Sequence, residues 1–68
     1  MIRDEEIVTT QSLRQACRAL EEIAVQGGWT AGDRGEWSVI YEHEGQRLYI
    51  SKKAERQWQV MKSQRPKT

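Results

Sequence analysis

The stretch from Gly35 to Ser51, Gly-Glu-Trp-Ser-Val-Ile-Tyr-Glu-His-Glu-Gly-Gln-Arg-Leu-Tyr-Ile-Ser, constrains the fold more than any other, because it reads as a β-hairpin turning at Glu44-Gly45. With those two as loop residues, His43 faces Gln46, Glu42 faces Arg47, Tyr41 faces Leu48, Ile40 faces Tyr49 and Val39 faces Ile50. Strand side chains alternate, so Trp37, Val39, Tyr41, Leu48 and Ile50 share one side, while Ser38, Ile40, Glu42, Arg47, Tyr49 and Ser51 share the other. The first side has the composition of a core face. On the second, the Glu42–Arg47 and Ile40–Tyr49 pairs each contribute about 0.2–1 kcal/mol. A three-residue loop with a bulge at Gly45 would set Leu48 against Ile40 and mix the faces, so the two-residue loop is preferred.

A chain of 68 residues makes one domain, and one this short buries only about 60% of its unfolded surface, which leaves its stability dependent on a well-made core or a partner. The domain is expected to span residues 1–68, with 1–5 and 64–68 as loose termini. Trp29, Trp37 and Trp58 supply much of the large apolar surface in the absence of any Phe. At 37% hydrophobic and 31% charged residues, the composition is that of a folded domain rather than a disordered one. The longest apolar runs are three residues, as in Ile23-Ala24-Val25 and Val39-Ile40-Tyr41, too short for a membrane span or a signal-peptide core, which sets the expectation of a cytoplasmic protein with no membrane partner. A single cysteine, Cys17, cannot form an internal disulfide, in keeping with a reducing compartment.

The net charge of +1 conceals an asymmetry. Residues 1–45 carry four arginines against nine carboxylates, whereas residues 46–68 carry seven lysines and arginines against Glu55 alone. Such a bias points toward an acidic partner, nucleic acid included; the alternative is a solvated surface ending in a basic tail.

Along the chain, Ile7-Val8-Thr9-Thr10 is β-branched throughout and suits a strand beside the hairpin, or Ile7 and Val8 pack over the next helix as a hydrophobic staple. Ser12-Leu-Arg-Gln15 has capping-box spacing, and Leu13, Ala16, Cys17, Leu20, Ile23 and Ala24 then follow helical spacing opposite Arg14, Gln15, Arg18, Glu21, Glu22 and Gln26. Gly27-Gly28 ends this helix. Trp29 in the following glycine-rich loop either folds back on the core or stands out as an interface anchor. After the hairpin, Ser51 is positioned to cap a second helix from Lys52, with Ala54, Trp58 and Met61 on one face and Lys52, Lys53, Arg56 and Lys62 exposed. The expected fold is therefore α+β, a single small domain of order (β)-α-β-β-α, with the antiparallel hairpin packed on the long helix.

Catalytic and metal-binding chemistry finds little footing. His43 between Glu42 and Glu44 at a hairpin tip has no converging ligand set, and with Cys17 on the apolar stripe of the helix no zinc site can be assembled. Cys17 reads as a small core residue rather than a nucleophile. No elbow motif surrounds any serine, and the glycines Gly27, Gly28, Gly32 and Gly35 lack phosphate-loop spacing. The chain is expected to be no enzyme, with no metal and no cofactor.

Gly35-x-Trp-x-Val-x-Tyr41, then Glu44-Gly-Gln-Arg47, then Ser51-Lys-Lys-Ala-Glu55 and Trp58, resembles the arm-type DNA-binding domains at the start of phage integrases, over about a third of the chain. That resemblance implies a sheet facing DNA, with Ser38, Arg47, Tyr49 and Ser51 approaching the groove, Lys52, Lys53 and Arg56 on phosphates, and a following helix behind. Ser51-Lys52-Lys53-Ala54 also resembles the opening of the last helix of double-stranded RNA-binding domains, which implies lysines gripping phosphates across a groove. Two functions follow for a non-enzymatic binding module. The first is a nucleic-acid-binding regulatory or accessory protein using Arg47, Tyr49, Ser51, Lys52, Lys53 and Arg56. The second is a phage-type protein-binding adaptor or inhibitor acting through the outer hairpin face at Ile40 and Tyr49 and through Trp29, with a homodimer through that face as a variant.

Overall fold

A computed structural model describes residues 3–64. The chain runs β1 (Arg3–Thr10), α1 (Leu13–Gly27), β2 (Thr30–Arg34), β3 (Val39–His43), β4 (Gln46–Ala54) and β5 (Gln57–Gln64). The five strands form one antiparallel sheet in the order β1-β5-β4-β3-β2, with α1 across one face. The α+β class stands, but the expected order does not: residues 52–61, anticipated as a second helix, are the end of β4, a turn at Glu55-Arg56, and β5. The helix opening that both family resemblances imply at Ser51–Ala54 is thus strand.

The helix forms where its signals lie. Ser12 caps it by accepting from the Gln15 N–H at 3.2 Å, and Gly28 closes it in the left-handed conformation (φ 71°), with the Trp29 N–H donating to the Ala24 carbonyl at 2.9 Å. Ala16, Leu20 and Ala24 are its buried ridge, small enough at two of three positions for the helix to approach the sheet closely. Leu48, Ile50 and Val60 are the opposing floor, joined at the edges by Val8, Tyr41, Trp37 and Trp58.

β1 extends the strand suggested by Ile7–Thr10 back to Arg3, so residues 3–5 are not a loose terminus, and Gln64 likewise ends β5. Residues 1–2 and 65–68 lie outside the described residues. β1 pairs with β5 rather than with the first hairpin, and a bulge at Ile7 reverses the facing of the chain between Glu6 and Val8. The β3–β4 register is the expected one at His43–Gln46, Glu42–Arg47 and Tyr41–Leu48, but the ladder stops there instead of continuing to Ile40–Tyr49 and Val39–Ile50. Val39 is correspondingly 36% exposed instead of buried, because α1 lies chiefly over β5, β1 and β4 and a helix about 10 Å wide cannot cover five strands spaced about 4.8 Å apart. No helix among the described residues is long and apolar enough to cross a membrane.

Candidate binding surface

The face of the sheet opposite α1 is open. Register places its side chains in cross-strand rows: Arg47, Ser63 and Asp4; Tyr49, Met61 and Glu6; Ser51, Gln59 and Thr9. Glu42 and Ile40 extend the surface onto β3, and Thr30 extends it onto β2. Antiparallel sheets commonly leave one face to water, and the alternation of Gln57-Trp-Gln-Val-Met-Lys-Ser63 achieves this here, sending Trp58 and Val60 to the helix side and Gln59, Met61 and Ser63 outward.

The polar groups of this face hold one another. Arg47 Nε donates to Glu42 Oε1 at 3.2 Å, as the hairpin register requires. Glu6 collects three partners on its carboxylate: the Thr9 hydroxyl, Gln59 Nε2 at 2.9 Å and, as an ion pair, Lys53 Nζ at 3.9 Å. The Thr9 hydrogen bond, with smaller help from Gln59 and Lys53, holds the Glu6 carboxyl below its ordinary pKa against the opposing effect of partial desolvation. Tyr49 is shifted the other way. Partial burial, followed by the negative charge of Asp4 and a hydrogen bond to it, raises the phenol above its ordinary value.

Of the six residues expected to contact nucleic acid, Arg47, Tyr49, Ser51 and Lys53 come together on the open face. Lys52 does not: it stands on the helix side opposite Trp58, with Nζ 5.5 Å from the Trp58 ring centroid. Arg56 sits apart in the β4–β5 turn. Ile40 is half-buried on the open face next to Tyr49. Trp29 is folded back: its ring lies 5.6 Å from that of His43 at a 48° tilt, so it closes the end of the helix rather than standing free. A Cβ on Gly27 would come within 2.5 Å of Trp29 Nε1, so the glycine is what admits the ring.

Asp4, Glu6, Thr9, Gln59 and Met61 belong to the surface and were not anticipated as part of it. For Gln59 and Met61 the signal is the period-two alternation through residues 57–63, which competes with the helical spacing of Ala54, Trp58 and Met61; Asp4, Glu6 and Thr9 reach the face only through the pairing of β1 with β5. Among the described residues, no group of three or more His, Cys, Asp or Glu could hold a metal ion. Comparison with protein-family models, with curated proteins and with solved structures found no match.

Proposed function

We propose that the chain is a non-enzymatic binding module whose open sheet face engages a protein partner. The observation that carries this is the mutual pairing of charge on the face. Among the described residues its two cations are each tied to a carboxylate of the same surface, Arg47 to Glu42 and Lys53 to Glu6, and Asp4 adds a third anion. A phosphate backbone would have to displace those carboxylates and lie against them, whereas a protein surface can meet a balanced set of charges around an apolar centre. Tyr49, Met61 and Ile40 provide that centre, with an aromatic side chain of the type enriched in interface anchors.

The β4–β5 turn supports a second reading. Lys52 and Arg56 have no ion pair among the described residues and lie with Lys53 at the same hairpin end, a basic stretch that suits phosphate contacts and fits the nucleic-acid function anticipated from the sequence.

Crosslinking in cells of origin separates the two. A protein partner captured by the wild-type chain at 200 mM salt is expected to be lost with Tyr49→Glu. Retention of DNA or RNA that falls steeply between 50 and 200 mM salt, abolished by Lys52→Glu/Arg56→Glu and indifferent to Tyr49→Glu, would reverse that conclusion in favour of the basic tip.

A further inference from the structure

The early end of the β3–β4 ladder leaves main-chain groups without a ladder partner at a predictable place. The two-residue turn at Glu44-Gly45 has positive φ at both positions (49° and 78°), so the flanking His43–Gln46 pair exchanges both of its hydrogen bonds. Alternate residues of β4 from there on, Gln46, Leu48, Ile50 and Lys52, therefore turn their N–H and C=O groups toward β3, and Arg47, Tyr49 and Ser51 turn theirs toward β5. Gln46 and Leu48 meet His43 and Tyr41. No ladder pair on that side serves Ile50 or Lys52, although on the other side β4 stays paired with β5 as far as Ala54.

β3 is drawn away from β4 by the turn before it. The Gly35 N–H donates to the Ser38 carbonyl at 2.8 Å, an approach so close that a Cβ on Gly35 would lie 2.9 Å from the same oxygen. The Val39 carbonyl, which a continued ladder would aim at the Ile50 amide, instead accepts the Ser38 hydroxyl at 3.2 Å. Between the separated strands lies a cleft of about 480 Å³ lined by Glu36, Trp37, Ile40, Tyr49, Ser51 and Lys52, among others.

We infer that this cleft takes an extended acidic segment of the protein partner, paired through its main chain with Ile50 and Lys52. The inference rests on the protein-binding function proposed above and names the part of the partner that is read. Two sets of N–H and C=O groups without a ladder pair, two residues apart, repeat at about 6.6 Å, the repeat of an extended chain, so main-chain pairing is the recognition the cleft offers. Charge sets the composition and direction of the segment. Lys52 lines the cleft and Arg56 lies beyond it in the turn, both without an ion pair among the described residues, while Glu36 lines the cleft as well. Carboxylates of the segment therefore point toward Lys52 and Arg56, and its uncharged or basic end lies by Glu36.

Hydrogen exchange followed by NMR tests the premise in the free protein. The Ile50 and Lys52 amides are expected to exchange at least tenfold faster than those of Leu48 and Val60, and an Ile50 amide as protected as that of Leu48 would overturn the inference. Selection of random heptapeptides displayed on phage supplies the probe. Enriched sequences are expected to combine β-branched residues with Asp or Glu toward one end, to slow Ile50 and Lys52 exchange on binding, and to lose affinity at least tenfold with Lys52→Glu/Arg56→Glu. A selection that returns no acidic β-branched sequence, peptides that bind unaffected by Lys52→Glu/Arg56→Glu, or a 20-base-pair DNA duplex that displaces them would each sink it. Failure here with a captured partner still lost on Tyr49→Glu removes the cleft and leaves the open-face function in place; failure of both experiments removes the protein-binding function itself.

Discussion

The β3–β4 and β4–β5 hairpins share a strand and a two-residue loop, yet their turns rest on different chemistry. The first turns on Glu44-Gly45, with φ of 49° and 78°, the backbone twist that matches two antiparallel strands. The second turns on Glu55-Arg56, neither of which has positive φ, and it takes up the mismatch in a bulge between Lys52 and Ala54. The first register is specified by its own turn and then lapses after three pairs, whereas the second is weakly specified locally and runs the length of both strands. What secures the second is position: β5 lies between β4 and β1, paired on both sides, with Val60 fully buried under the helix. Local turn chemistry thus sets where a hairpin begins, and burial sets how far it continues.

The sharpest way to break that contrast is in the core beneath the shared strand. Leu48 is fully buried, whereas Val39, on the same side of the first hairpin, is 36% exposed. Leu48→Ala is expected to cost about 2–5 kcal/mol, enough to unfold much of a domain this small at 25 °C. Val39→Ala is expected to stay within about 0.5 kcal/mol. Urea denaturation followed by circular dichroism measures both. Equal losses would mean that the helix covers β3 as fully as β4 and that the first hairpin continues where the second does.

The same contrast explains what could be read in the sequence. The Glu44-Gly45 turn, the Glu42–Arg47 pair, the Ser12 cap and the Gly28 stop are local signals, and each stands where it was expected. Residues 52–61 carry two periodicities at once: Ala54, Trp58 and Met61 fit a helix, and Trp58 and Val60 against Gln59 and Met61 fit a strand. The helical pattern is equally well formed, and only the distant partner β1 decides against it, since a central position buries Val60 between Ile50 and Val8. The open face was half legible for the same reason. Its β3–β4 residues follow from the first turn, while Asp4, Glu6, Gln59 and Met61 join only when the ends of the chain meet.

A smaller effect separates the two turns directly. Gly45→Ala places a Cβ on a left-handed residue and is expected to cost about 1–2 kcal/mol, while Arg56→Ala at the second turn stays within about 0.5 kcal/mol. A Cβ at Gly45 meets nothing within 4 Å, so the cost is purely one of backbone conformation. Comparable losses at Gly45 and Arg56, by the same urea titration, would show that the second turn is also locally specified.

The smallest effect reads the long-range half of the sheet through one phenol. Tyr49 lies on the shared strand, where the first ladder has ended and the second holds, and its pKa is raised by burial and then by Asp4, which reaches it from β1 across β5. Because the folded value lies above the unfolded one, the unfolded chain releases this proton first. The contribution to stability is complete below pH ~10 and is lost as pH rises through the folded value. Ultraviolet titration near 295 nm in a Tyr41→Phe background isolates the group. Asp4→Asn is expected to lower its pKa only part of the way, since burial is the larger cause, whereas a peptide of residues 35–51, which has the first turn but neither β5 nor β1, should titrate at the ordinary tyrosine value. A raised value in that peptide would place the cause within the first hairpin and erase the distinction between a register set by its turn and one set by its neighbours.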